Sequence, residues 1–224
     1  MFLFDADGTL FDYDMAESNA LERMFTSRNF DYSENIRLKY REFNSQVWNR
    51  YEKNEITKEE LQTLRFEHLF DYIGVTCDEK NFNEEYLHEL GKGAFLIPGA
   101  LEICKAIVSK GKRIYIVTNG ILATQQSRIK HSKIKNYISD FFVSEHIGYQ
   151  KPHVLYFEYV FANIQTINKA KTLIIGDSLS ADIAGGNNAG IDSCWLNISR
   201  EKNTTNIIPT YEISELIELC KFIG

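Results

Sequence analysis

The 224-residue sequence predicts an α/β fold: a Rossmann-like parallel sheet flanked by helices, interrupted once by an all-helical insertion. Three observations carry this reading. Short, wholly apolar runs recur along the chain, as a sheet buried on both faces requires. Segments with helical apolar spacing separate them, and strand–helix alternation implies parallel pairing with right-handed crossovers. Between residues 14 and 93 the alternation stops and no strand-like run appears.

The first strand is M-F-L-F-D at 1–5, and four further runs follow: R-I-Y-I-V-T (113–118), F-F-V-S (141–144), T-L-I-I-G (172–176) and I-D-S-C-W-L (191–196). Pro98 and Gly99 open a helix striped by Leu101, Cys104, Ile107 and Val108, and Gly111 closes it. A second helix runs from about Pro152 to Asn163 with Leu155, Tyr156, Tyr159 and Val160 inward, and a last one, near Ser214 to Phe222, is expected on an edge. Inside the insertion, Ile36, Tyr40, Phe43, Val47 and Tyr51 fall at helical spacing. Thr57 with Glu60 forms a capping box before Leu61, Leu64 and Leu69, and Asp78 caps a helix bearing Phe82, Tyr86 and Leu90. The expected domains are therefore a core of residues 1–13 and 94–224 and a helical domain of 14–93. A core of that size buries about 68% of its unfolded surface, enough for independent stability.

Composition narrows the function classes. Apolar residues are 44% and charged residues 25%, ordinary globular usage that excludes a disordered chain. A net charge of −6 gives no bulk attraction to nucleic acid polymers or anionic membranes. Cys77, Cys104, Cys194 and Cys220 lack metal or redox spacing and read as packing residues in a reducing compartment. The four apolar residues before Asp5 are too short a run for a signal peptide or a membrane span, so the expected location is the cytoplasm. The five His never group at ligand spacing, which disfavours zinc.

Four segments carry chemistry, each expected at the carboxyl end of a predicted strand, where open α/β sheets bind ligands. In D-A-D-G-T-L (5–10), Asp5 ends the strand, Asp7 follows, and Gly8 permits a tight turn. In V-T-N-G (117–120), Thr118 and Asn119 offer a hydroxyl, an amide and backbone N–H groups to an anion. In Q-K-P (150–152), Lys151 precedes a proline at a helix start. In I-I-G-D-S-L-S-A-D (174–182), Asp177 ends an apolar run and Asp182 follows; Ser180 is a candidate helix cap and Asp182 a helix-dipole partner. Each segment alone also fits a solvated turn or surface position. Together they bring Asp5, Asp7, Asp177 and Asp182 to one crevice, where four carboxylates repel. A hard divalent cation relieves that repulsion, and Mg²⁺ fits best. With Lys151 and hydroxyl donors added, the set suits phosphoryl transfer.

The order D-x-D-G-T, T-N-G, K-P, G-D-x-x-x-x-D resembles the haloacid dehalogenase-like superfamily of phosphohydrolases over residues 1–196. The insertion resembles that superfamily's α-helical cap of the first type. V-W-N-R-Y-E-K-N-E-I-T, I-V-T-N-G, G-Y-Q-K-P and I-I-G-D-S-L-S-A-D-I-A-G-G-N-N-A-G are similar to its pyrimidine 5′-nucleotidase branch. The resemblance implies that Asp5 is the nucleophile, forming an aspartyl-phosphate, and a Mg²⁺ ligand. It implies that Asp7 is the general acid, then base, and a metal ligand through its carbonyl. Thr118 and Asn119 would hold phosphoryl oxygens, Lys151 would stabilise nucleophile and transferring group, and Asp177 would ligate Mg²⁺. Asp182 would act on the metal site from just behind it.

The expected substrate is a small phosphomonoester, a pyrimidine nucleoside 5′-monophosphate, handled by a monomer or homodimer. Sugar-phosphate phosphatase and phosphomutase are alternatives within the superfamily. A haloacid dehalogenase fits less well, because Asp7 and Asp177 are the acid and metal ligand a phosphatase needs. A phospho-aspartate signalling module is the alternative of a different class, though its acceptor comes later in the chain and it has no helical insertion. In the cap, Trp48, Tyr51 and Phe66 are candidates for an aromatic face against a base, or else pack between helices. Asn44 and Arg65 are candidates for base or sugar contacts. Lys130, His131, Lys133 and Lys135 read as a solvated helix face, and His153 as a surface residue at a helix start.

Overall fold

Phe2–Phe4 forms β1, the centre of a six-stranded parallel sheet. In the computed structural model, which describes residues 1–53 and 55–223, the sheet comprises β1, β2 (Ile114–Thr118), β3 (Ile138–Val143), β4 (Leu173–Gly176), β5 (Asp192–Leu196) and β6 (Tyr211–Ile213). Asn54, within V-W-N-R-Y-E-K-N-E-I-T, and Gly224 lie outside the described residues. Strand order is β3-β2-β1-β4-β5-β6. The strand period of two divides β1 between two cores. Phe2 and Phe4 join Ile116, Ile175 and Cys194 on one face, whereas Leu3 joins Val117, Ile174, Tyr156 and Phe157 on the other. Each such fully buried side chain stabilises the sheet by about 2 kcal/mol.

The helices are α1 (Tyr13–Ser27), α2 (Glu34–Glu52), α3 (Lys58–Ile73), α4 (Glu79–Leu90), α5 (Ala100–Ser109), α6 (Leu122–His131), α7 (Ser144–Ile147), α8 (Val154–Ala162) and α9 (Ala184–Ala189). The chain divides into two compact units, residues 1–13 with 94–224 and residues 14–93. The second unit contains only helices among its described residues. Ser33, Thr57 and Asp78 cap α2, α3 and α4, and the Thr57–Glu60 capping box is formed in both directions. An aromatic interior of Phe25, Tyr40, Phe66, Phe70, Phe82 and Tyr86 holds this unit together.

Val108, Leu155 and Tyr159, expected inward on α5 and α8, are exposed, and on α8 Phe157 is buried with Tyr156 and Val160 instead; β6 and the C-terminal helix also depart from the expectation. β6 has only Ile213 buried, so no apolar run announces it. The C-terminal helix is a 3-10 helix over Leu216–Phe222, because Leu216, Leu219 and Phe222 repeat every three residues and a three-residue turn puts them on one face. No helix among the described residues is long and apolar enough to cross a membrane.

Candidate active site

Parallel pairing delivers the ends of β1, β2 and β4 to one edge of the sheet, and the chemistry gathers there. Asp5 extends β1 by one bond, its backbone N–H donating to Ile175 O at 2.9 Å. Lys151 is 1% exposed, and its ammonium uses all three protons. It donates to Asp5 Oδ1 at 2.6 Å, Asp182 Oδ1 at 2.6 Å and Val117 O at 2.8 Å. Asn119 fixes the Lys151 backbone from both sides. Its amide donates to Lys151 O at 3.0 Å, and its oxygen accepts from Lys151 N–H at 2.8 Å. The Thr118 hydroxyl accepts from Gly120 N–H at 3.1 Å, so β2 turns sharply into the loop.

Asp177 follows β4, and Trp195 anchors its carbonyl through Nε1 at 2.9 Å. The chain then makes one π-helical turn over Leu179–Ile183. Ser178 rather than Ser180 caps this turn: its hydroxyl accepts from Ala181 N–H at 3.1 Å, while Ser178 N–H donates to Asp182 Oδ2 at 3.1 Å. Two glycines make room for the carboxylates. A Cβ on Gly8, whose φ is +77°, would collide with Asp177, and a Cβ on Gly176 would collide with Asp182.

Burial pushes the Asp5 carboxyl well above its ordinary value, with Lys151 opposing and Asp182, Asp177 and Asp7 adding to the rise. Burial would lower the Lys151 ammonium, but Asp182 and Asp5 outweigh it and hold it raised. Asp177 has an exposed surface yet lies in a crevice crowded by protein; that crowding, then the charge of Asp182, pushes its carboxyl up to about 7. The donor set fits a hard divalent cation. Asp5, Asp177 and Asp182 each offer an oxygen, and these oxygens lie within 4.8 Å of one another.

A family model described as haloacid dehalogenase-like hydrolase matches residues 2–196. The chain belongs to the haloacid dehalogenase-like hydrolase family. A crystal structure of this hydrolase's relative YfnB from Bacillus subtilis, bound to magnesium, is 38% identical, covers 100% of this chain and 97% of that one, and superposes with a TM-score of 0.94. Pyrimidine 5′-nucleotidase PynA of Streptococcus pneumoniae is 36% identical over 94% of this chain and 89% of its own. Pyrimidine 5′-nucleotidase YjjG of Escherichia coli is 32% identical over 96% of this chain and 94% of its own.

Two side chains of this hydrolase's site escaped the sequence reading. Gln125 Nε2 donates to Asp7 Oδ2 at 2.5 Å, and Arg128 Nη1 donates to Asp7 Oδ1. Both are buried polar residues on α6 at i, i+3 spacing, a signal visible in Q-Q-S-R once α6 is placed. Lys130, His131, Lys133 and Lys135 are exposed, and His153 serves as N-cap of α8.

Within the helical unit, Trp48 and Tyr51 are half-buried and meet edge-to-face at 5.9 Å between centroids. Phe66 departs from the expectation of a ring offered to a base. It is fully buried, stacked against Tyr40 and Phe70 and tilted onto Phe82, because its position on α3 faces the aromatic interior. Arg65 donates to Asn44 Oδ1 at 3.2 Å and to Asn83 Oδ1 at 2.6 Å, so Asn44 and Arg65 share a buried polar cluster.

The raised carboxyls give a stability prediction. Between about 4, the ordinary aspartate value, and about 7, folded Asp177 retains a proton that the unfolded chain has released. The folded state then binds more protons, so stability falls as pH rises through this window. Metal-free protein is expected to melt at a higher temperature at pH 6 than at pH 8. Millimolar Mg²⁺ should raise the pH 8 value and flatten the difference. A melting curve indifferent to both pH and Mg²⁺ would remove the crowded-carboxylate description.

Proposed function

We propose that this chain is a Mg²⁺-dependent phosphomonoester hydrolase working through an aspartyl-phosphate on Asp5, with pyrimidine nucleoside 5′-monophosphates as substrates. The observation that carries the reaction is the buried Lys151 ammonium bonded at 2.6 Å to both Asp5 and Asp182, within a cluster that Asp177 completes. Asp5, Asp177 and the Asp7 carbonyl would hold Mg²⁺, with Asp182 fixing Lys151 behind them. When bound, the ion supplies positive charge that offsets repulsion between carboxylate and phosphate.

Asp5 attacks phosphorus while the Thr118 hydroxyl orients the phosphoryl oxygens, and Lys151, its three protons held by Asp5, Asp182 and Val117 O, supplies fixed positive charge beside the nucleophile. Asn119 contributes its backbone N–H, because its side chain is committed to Lys151. Asp7 protonates the leaving ester oxygen and later takes a proton from the water that cleaves the aspartyl-phosphate. We assign residues 1–13 with 94–224 as the catalytic core and residues 14–93 as the cap, with Trp48 and Tyr51 as the aromatic surface for the base. The likeness to PynA and YjjG extends over nearly the whole chain, helical unit included, which supports the nucleotide reading.

Phosphate release from uridine, cytidine and adenosine 5′-monophosphates, glucose 6-phosphate and p-nitrophenyl phosphate, with Mg²⁺ and with chelator, tests these points. Pyrimidine nucleotides should lead in kcat/KM by about tenfold or more, a discrimination within reach of pocket contacts. All release should stop under chelation. Equal kcat/KM across the panel overturns the nucleotide reading, turnover in chelator overturns the metal, and a single turnover leaving a persistent aspartyl-phosphate favours a signalling module.

A further inference from the structure

The structure assigns Gln125 and Arg128 as positioning residues that hold the Asp7 carboxylate for proton transfer to and from the substrate. The inference rests on the phosphomonoesterase reading above. α6 begins directly after the Thr118–Asn119–Gly120 turn, so its first two turns lie beside the loop that carries Asp7. Gln125 is 1% exposed and Arg128 is 0% exposed, and each bonds a different oxygen of Asp7. Two donors on separate oxygens fix the plane of the carboxylate as well as its place.

The surroundings are shaped for this grip. The Arg128 guanidinium lies 4.8 Å from the centroid of the buried Phe11 ring, which sets its height above the loop. A Cβ on Gly120 would collide with the Gln125 amide, so only glycine at that turn lets the amide reach Asp7. A buried guanidinium is costly unless a partner matches its charge, and Asp7 is a carboxylate partner here. Each carboxylate oxygen has two lone-pair sites. Gln125 and Arg128 take one apiece, which leaves a site for the catalytic proton.

In the first half-reaction an Asp5 oxygen bonds phosphorus, the ester P–O bond breaks with its electron pair going to the leaving oxygen, and the Asp7 proton passes to that oxygen. In the second, water oxygen bonds phosphorus, the bond from phosphorus to Asp5 breaks, and Asp7 regains a proton from that water. Proton donation matters most when the leaving oxygen is a poor leaving group. Losing the grip on Asp7 should therefore hurt alkyl esters and spare activated aryl esters in kcat/KM, which reports only the first half-reaction. The second half-reaction should slow for every substrate.

The test uses Arg128→Lys and Gln125→Leu in the full chain with Mg²⁺. The substrates are the alkyl phosphomonoester turned over best in the panel and 2,4-dinitrophenyl phosphate. For Arg128→Lys, kcat/KM for the alkyl ester should fall about 100-fold and for the aryl ester less than about threefold. The aryl ester should also give a burst of dinitrophenolate equal to the enzyme, followed by slow turnover. Gln125→Leu should repeat the pattern with about a tenfold alkyl loss, and it decides the matter if Arg128→Lys fails to fold by melting temperature. Parallel loss on both esters, or loss on neither, overturns the assignment. Wild-type protein inert toward both esters defeats the phosphomonoesterase reading itself, and that result is visible before any variant is made.

Discussion

Asp5→Asn is expected to lower turnover about 10⁶-fold, the scale reached when the nucleophile is removed from other hydrolases with covalent intermediates. The amide keeps the size of the side chain and still accepts from Lys151, so the pocket keeps its shape. It cannot form the aspartyl-phosphate. The same change removes one of the crowded carboxylates, whose ionised form the fold disfavours. Metal-free Asp5→Asn protein should therefore melt no lower than the parent at pH 8. Measuring initial rates and melting curves together, with mass spectrometry excluding deamidation back to aspartate, separates chemistry from folding. Appreciable activity in intact Asp5→Asn protein would refute the nucleophile assignment.

Lys151→Met is expected to fail in both respects. Methionine fills the space of the alkyl stem but removes an ammonium that bonds Asp5, Asp182 and the Val117 carbonyl. Removing one partner of a buried ion pair costs about 3–5 kcal/mol, because the remaining charge is stranded. Here two carboxylates are stranded side by side, so the variant should melt about 10 °C lower at pH 8. Turnover should fall about 10²–10³-fold, the loss typical when one preorganised charge contact to the reacting group disappears. Lowering the pH to 6 should recover part of the stability and none of the turnover, because protonation relieves repulsion without restoring the cation. Unchanged melting at pH 8 would mean that the Lys151 contacts contribute nothing net to folding.

The strands of the sheet were legible because both faces are buried and their sequences are apolar without alternation. The five runs around Leu3, Ile116, Phe142, Ile174 and Cys194 all became strands. β6 was not, because two of its three residues are exposed and its pairing is set by β5 alone. At the site, Asp5, Lys151, Asp177 and Asp182 were readable from their places after apolar runs or before a helix. Gln125 and Arg128 were not, because a polar helical residue is ordinarily solvated, and their shared face shows only once α6 is placed. Phe66 misled for the converse reason. An aromatic ring at helical spacing serves a ligand or an interior equally well until its neighbours are known, and Phe66 faces Tyr40 and Phe82.

The central place of β1 has a consequence for biosynthesis. Phe2 finds one neighbour in Ile114 and the other in Leu173, with the whole helical insertion threaded between the first pair. β1 thus waits for partners far along the chain, and closing loops of that length is slow. Until Leu173 has been translated, Phe2, Leu3 and Phe4 lack one side of their sheet, and Asp5 lacks the neighbour that receives its backbone hydrogen bond. Assembly of the site around Asp5 is therefore tied to completion of the sheet on both sides of β1.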